Sequence, residues 1–441
     1  MSNRLFRRHW VILVLGLAAT QLPAQEVLTL QHAIQIGLQN NYSIIIQKNN
    51  ATIASNNNTL GNAGFLPGLN LSGTQNNLIT NTYQETFSGT VKDINGATNR
   101  TLNAGVQLTW TLFDGMSMFV NKDMLNEWED LGQIEARMTI ETTVSDIILA
   151  YYGIIQQERL VLVLQDAANL SLERKKIMEA RVSIGSSSGQ ALLQSTVDLN
   201  TDSINLIQAQ ATVQQSRAEF NHLLALGPDI PFTLEDSIVL NHSLSYDSLL
   251  ASARSQNNEI LIARNNLDLS ALTLRSEQSY RYPKLNFNAG YNYSQLQSET
   301  GYAKYSRNLG PSFGLTLTYP IFDGFNVNRN IRNARIGVNS SENQLNETDL
   351  TVQTELFRLW IDYLTNLNVV RIELINQDVA RENVDVAFEK YRLGTISDID
   401  LRETQKKYID AQYELLLSQF QAKRAEIELL RVSGELGRLF Q

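Results

Sequence analysis

Cysteine is absent from the whole 441-residue sequence. That excludes a disulfide framework, a thiolate metal site and a lipid-accepting thiol behind an export signal. Histidine is nearly absent: His9, His32, His222 and His242 are too far apart in sequence to form a zinc site, and His9 falls in the N-terminal signal. Charge is sparse at 18% of residues and acidic in balance, net −9 with a pI near 5.2. This removes any electrostatic case for binding nucleic acid. Beyond the N-terminus no stretch is expected to be apolar for long enough to span a bilayer as a helix, so any crossing should use a β-barrel. In place of charge there is an abundance of Asn, Gln, Ser and Thr, as the neutral polar wall of a water-filled lumen requires.

The N-terminus carries Arg4, Arg7 and Arg8, an apolar run over residues 10–19, and Leu22-Pro23-Ala24. This is the form of a secretory signal peptide at 1–24, cut near Ala24. The run is too short to cross about 30 Å of hydrocarbon comfortably.

The rest of the chain is written twice. Phe113-Asp114-Gly115 returns as Phe322-Asp323-Gly324, an offset of 322 − 113 = 209 residues, and Gly185 returns as Gly394 at the same offset. The repeats are read as 25–245 and 246–441. Before each Phe-Asp-Gly, apolar and polar residues alternate. Leu102, Ala104, Val106, Leu108, Trp110 and Leu112 point one way, and so do Phe313, Leu315, Leu317, Tyr319 and Ile321, with Pro320 as the exception. A period of two is a strand. A second strand follows Pro67 weakly and Pro283 strongly, through Leu285, Phe287, Ala289, Tyr291 and Tyr293. The segments 78–100 and 295–310, rich in Asn, Thr, Ser and Gly, are expected to be loops. The first hairpin should therefore have the longer loop. Four strands with apolar outer and neutral inner faces fit a transmembrane barrel, but single-chain barrels begin at about eight strands, so several copies must close it.

Helices fill the remainder. Each repeat opens on a helical segment interrupted at an asparagine pair, Asn40-Asn41 and Asn257-Asn258, and ends in two long helices folded at 184–189 and 393–398. A helix of about 65 residues extends roughly 100 Å. Ile140, Val144, Ile147, Tyr151 and Ile154, and likewise Leu356, Trp360, Tyr363, Leu367, Val370 and Leu374, alternate in steps of 4 and 3, which is a coiled-coil seam. The segment around Pro228 and Pro231 reads as a connector on the outside of the helices.

Signal peptide, two repeats of helix, strand, strand, long helix, turn and long helix, and no cysteine: in this order the chain resembles the TolC-like outer membrane efflux proteins over essentially its whole mature length. The resemblance rests on the proline-led strands, the two Phe-Asp-Gly junctions and the turns at Gly185 and Gly394. It implies a mixed α+β membrane protein: a homotrimer whose twelve-stranded outer-membrane barrel, four strands per chain, continues into a coiled-coil periplasmic barrel. The implied function is the exit duct of a tripartite efflux or type I secretion system, docked to a periplasmic adaptor and an inner-membrane transporter. It implies no enzyme activity and no cofactor. Ile184, Gly185 and Ser186 with Leu393, Gly394 and Thr395 would contact the adaptor. Asp400 and Glu403 would line the periplasmic aperture, an acidic ring from the second repeat only, since Ala191 and Gln194 hold those places in the first. Read without the resemblance, Asp400 is a helix cap partnered by Ser397. Ile396 stands where the family commonly has a basic residue tying the closed mouth, which leaves the gating contacts open.

Two other functions compete. A periplasmic structural coiled-coil protein without a transport role is compatible with the seams and would be released with the periplasm. A secreted hydrolase is suggested by Gly185-Ser186-Ser187-Ser188-Gly189, but that motif needs a preceding strand and a nearby histidine and acid, and here it joins two helices. A neutral tunnel recognises little, so the sequence points to no particular cargo or pump class.

Overall fold

The computed structural model describes residues 27–235 and 237–437. The chain runs β1 (Val27–Leu28), α1 (Leu30–Asn40), α2 (Tyr42–Asn57), α3 (Leu60–Ala63), β2 (Gly68–Glu85), β3 (Val91–Phe113), α4 (Ser117–Ser183) and α5 (Gly189–Leu223). It continues through β4 (Thr233–Leu234), α6 (Tyr246–Gln256), α7 (Asn258–Ser279), β5 (Lys284–Ser298), β6 (Tyr305–Thr318), α8 (Asn326–Arg392) and α9 (Asp398–Val432). The expected signal sequence lies outside the described residues.

The asparagine breaks are where the sequence placed them, and each is a two-sided tie. Asn41 accepts from the backbone of Ser43 and Ile44, capping α2, and donates through its amide to the Leu223 carbonyl at 2.9 Å. Asn257 accepts from Glu259 and Ile260, capping α7, and donates to the Val432 carbonyl, also at 2.9 Å. One residue type thus satisfies the start of one helix and the end of another.

The four long strands form one antiparallel sheet in the order β2-β3-β5-β6. Register puts like with like. Leu71, Val106, Tyr291 and Pro311 lie in one row, Leu69, Leu108, Ala289 and Phe313 in another, all on one face. The opposite face is a neutral ladder, in which Ser294 donates to Asn103 at 2.7 Å, Asn292 to Ser312 at 3.1 Å and Thr111 to Asn286 at 3.1 Å. Three expectations fail here: 295–310 is not a loop throughout, since β5 runs to Ser298 and β6 starts at Tyr305; β6 stops at Thr318, short of Tyr319 and Ile321; and the first hairpin does not have the longer loop. The segment 78–100 is mostly strand, with a turn confined to 86–90, so the first hairpin has longer strands and no longer a loop than the second. Its threonines and isoleucines are β-formers, and pairing across the hairpin satisfies their backbone groups.

The helices match in length, 67 residues for α4 and α8 and 35 for α5 and α9. The expected seams are buried through Val144, Ile147, Tyr151 and Ile154, and through Leu356, Tyr363 and Val370, but Leu374 is exposed. An 18-residue window of α4 reaches a mean hydropathy of 1.4, long and apolar enough to cross a membrane by length and composition, contrary to the sequence reading. On α4, Val144, Ile147, Ile148, Tyr151, Ile154 and Ile155 form the centre of the core with Phe220, Leu249, Leu356 and Leu429. The connector is not wholly external: Phe232 enters this core, β4 pairs in parallel with β1, and the Tyr151 hydroxyl donates to the Leu28 carbonyl while accepting from the Glu235 amide.

Candidate functional site

The two hairpin tips are built alike. Gly185 and Gly394 take φ of 75° and 77°, a left-handed conformation that closes a long helix. Ser186 then donates its amide to the Arg181 carbonyl and Thr395 to the Lys390 carbonyl, and both hydroxyls bond the same carbonyls. Ser188 caps α5 and Ser397 caps α9. Ile184 and Leu393 are each 78% exposed at the apex. All six residues expected at the adaptor contact therefore sit at the two apices, and the apices are neighbours: Arg181 donates to the Tyr391 carbonyl and its guanidinium lies 4.4 Å from the centre of the Tyr391 ring.

Asp400 completes a reciprocal capping box with Ser397, accepting from its amide at 3.1 Å and its hydroxyl at 2.7 Å. These bonds hold its carboxyl below the usual range. Glu403 is exposed and pairs with Lys407 at 2.9 Å, one turn along. Ile396 packs beside Met178, Tyr391 and Leu401.

Deeper by two to three turns lies a polar network that sequence reasoning missed. Arg174 is fully buried and pairs with Asp198 and, at 3.5 Å, with Asp398. Arg402 grips Asp202 with two bonds of 2.7 and 2.9 Å, and Ser171 donates to the same carboxylate. The bond to Asp202 raises the Arg402 pKa. The Tyr391 hydroxyl donates to Asp398, and burial, aided by that carboxylate, pushes its pKa up to about 12. Three helices, α4, α5 and α9, meet here, joined by Tyr391 from α8. The signal was present but weak: Ala167, Ser171, Arg174 and Met178 continue the steps of 4 and 3, placing an arginine on a buried stripe.

The serine turn is not a catalytic site. Ser187 donates to the Met178 sulfur, and Ser188 is spent as a cap. His32, His222 and His242 are exposed, and among the described residues no three His, Cys, Asp or Glu groups are placed to hold a metal.

A second feature is what the single chain leaves open. Among the described residues β2 and β6 end the sheet with no partner strand on their outer edges, and the apolar face stands bare at Leu69, Leu71, Phe313, Leu315 and Leu317. On α5, Leu193, Val197, Ile204 and Ile207 form an exposed row, and on α8 so do Ile372, Ile375, Val379 and Val386. The repeats differ most sharply at their glycines. A Cβ on Gly115 would come within 2.3 Å of the Ser279 carbonyl, whereas at Gly324 it would meet only Asn326, at 3.6 Å.

A sequence profile of the family described as Outer membrane efflux protein matches residues 249–435. Outer membrane protein TolC of Salmonella enteritidis is 21% identical over 373 residues, covering 80% of this chain and 75% of that protein. Among solved structures, the outer membrane protein VceC of Vibrio cholerae superposes with a TM-score of 0.74 at 15% identity, over 92% of this chain and 96% of that one. A membrane protein from Pseudomonas aeruginosa gives 0.78 at 17% identity, over 93% and 92%. The fold, long helices with four antiparallel strands per chain, is that of these proteins.

Proposed function

Because the chain belongs to the TolC-like outer membrane efflux proteins, we propose that three copies close one twelve-stranded barrel in the outer membrane and one helical duct beneath it. The protein is an outer membrane efflux channel, not an enzyme, and serves export of the tripartite efflux or type I secretion kind.

The observation that supports closure by further copies is the unequal use of equivalent surfaces; the number three is that of TolC-like channels. Within one chain β3 pairs with β5, α4 packs on α7 and α9, and Gly115 abuts α7. Among the described residues the repeat equivalents lack the matching neighbours: β6 pairs only with β5, α8 packs on α7 and α9 but makes no substantial contact with α2 or α5, and only Asn326 of its own helix lies near Gly324, while β2, α2 and α5 show unused faces. A second copy supplies them all at once: β6 against its β2, α8 against its α2 and α5. Passing the contact around an axis closes a ring. Each open strand edge left in lipid would cost several kcal/mol per unpaired group, so the single chain is not a membrane-stable unit. The apolar rows from Leu285 to Tyr293 rise roughly 20 Å on strands tilted by about 40°, close to the height of a barrel's lipid-facing band.

The tips then face the periplasm. Ile184, Gly185, Ser186, Leu393, Gly394 and Thr395 are the contact for a periplasmic adaptor, itself coupled to an inner-membrane transporter, and Asp400 and Glu403 border the aperture. Support comes from their shared position at the apices and from the open space around Gly185. Export complementation tests this. Gly394→Trp should abolish export while the amount of outer-membrane trimer stays unchanged. Normal export from that variant rejects the adaptor assignment, and release of the unaltered protein with the periplasm rejects the channel.

A further inference from the structure

The first hairpin is longer than the barrel requires. The β3–β5 ladder ends at Asn99 and Ser298, but β2 and β3 stay paired beyond it from Thr82 with Ile94 to Glu85 with Val91. At the start of this ribbon the register slips, Gly96 takes φ of 72°, and its amide donates to the Asn81 side chain at 2.8 Å. A bulge of this kind bends a two-stranded ribbon.

Burial gives the direction of the bend. Thr80, Thr82, Lys92 and Ile94 are half-buried and Ala97 is fully buried, while Ile79, Tyr83, Val91 and Asp93 are exposed. The covered residues share the face of Asn99, which through Asn103 is the sheet's neutral polar face, and the Thr80 and Thr82 hydroxyls stand 3.3 Å apart on it. The start of the loop 299–304 is tied to the base of the ribbon. Ser298 and Thr300 donate to the Asn99 side chain, and Glu299 bonds the Thr98 backbone through its amide and its carboxylate. The ribbon therefore leans toward the side that becomes the lumen when the barrel closes. Its turn, residues 86–90, carries Phe87 with its ring wholly in solvent.

Distance decides what such a lean can do. Twelve strands about 4.8 Å apart and tilted by about 40° give a barrel of roughly 12 Å radius. From Thr82 to Phe87 the ribbon reaches about 17 Å. We propose that in the three-fold channel, on whose reading this rests, the three ribbons arch over the outer mouth and bring their Phe87 rings together on the axis. They form an apolar constriction at the exit, separate from the periplasmic tips. Hydrophobic constrictions gate by excluding water, so it would hold back small ions at rest and part for cargo driven from below.

The absence of cysteine makes the test clean. In Phe87→Cys, mild oxidation of the purified channel at high dilution should link two of the three chains as a disulfide dimer, since sulfurs meet only when Cα atoms lie within about 7 Å. Replacing 82–94 by an Asn-Gly turn should raise single-channel conductance about two-fold or more in a bilayer, as expected on removing a dewetted neck. A trimer, verified by native mass under reducing conditions, that neither cross-links nor changes conductance would overturn the arch. Failure to find a trimer at all would instead overturn the assembly.

Discussion

Asn257 and Asn41 do the same two jobs with one amide, which separates their contributions by substitution. Asn257→Asp keeps the acceptor for the Glu259 and Ile260 amides and loses the donor to Val432, whereas Asn257→Ala loses both. Hydrogen exchange at those two amides should be nearly unchanged in the first and faster in the second, by the equivalent of about 1–2 kcal/mol of cap stability. At the tip, the Asp400 bonds to Ser397 require the carboxylate. A depressed folded pKa stabilises the native cap above the unfolded value, and that stabilisation is lost only as pH falls through the depressed one. Mild acid, which would discharge an unassisted carboxylate, therefore leaves Asp400 charged and the start of α9 intact. In the proposed three-fold channel Asp400 and Glu403 border the aperture, where three copies of each charge would favour cations. Asp400→Asn with Glu403→Gln should lower cation selectivity and weaken block by trivalent ions in a planar bilayer. Unchanged selectivity would leave Asp400 as a cap alone.

At the scale of elements, the tips are held side by side by the Arg174 and Arg402 clusters. Asp198→Ala removes the nearest carboxylate from a fully buried guanidinium, a change that costs about 3–5 kcal/mol where a buried pair is broken. Limited proteolysis should then cut the turns at 184–189 and 393–398 faster, with the strands still protected. Equal protection in the variant would show the pair to be dispensable. This cluster was only faintly legible in the sequence: Ser171 with Arg174, Asp198 with Asp202 and Asp398 with Arg402 stand three or four residues apart, as side chains on a solvated helix face also do, and nothing local shows that the three helices bring them together. What was legible had a local cause. The asparagine breaks, the glycine turns and the length of α4 and α8 follow from caps and uninterrupted periodicity over a few residues. The ribbon at 78–100 was misread because Asn, Thr and Ser suit loops and solvent-exposed strands equally, and only pairing with a partner strand distinguishes them.

The whole molecule is decided by surfaces that one chain cannot use. Leu193, Val197, Ile204 and Ile207 on α5 are exposed in the single chain and meet α8 of the next copy in the proposed ring. Val197→Asp with Ile204→Asp should leave the chain's own helical content unchanged by circular dichroism and abolish assembly, since buried unpaired carboxylates are expensive in an interface. The measurement that bears most directly on three-fold closure is native mass spectrometry of the detergent-solubilised, outer-membrane protein. The expected species has three times the mass of the mature chain and keeps its β-barrel spectrum. A folded monomer, or a stable assembly of any other number, would contradict it.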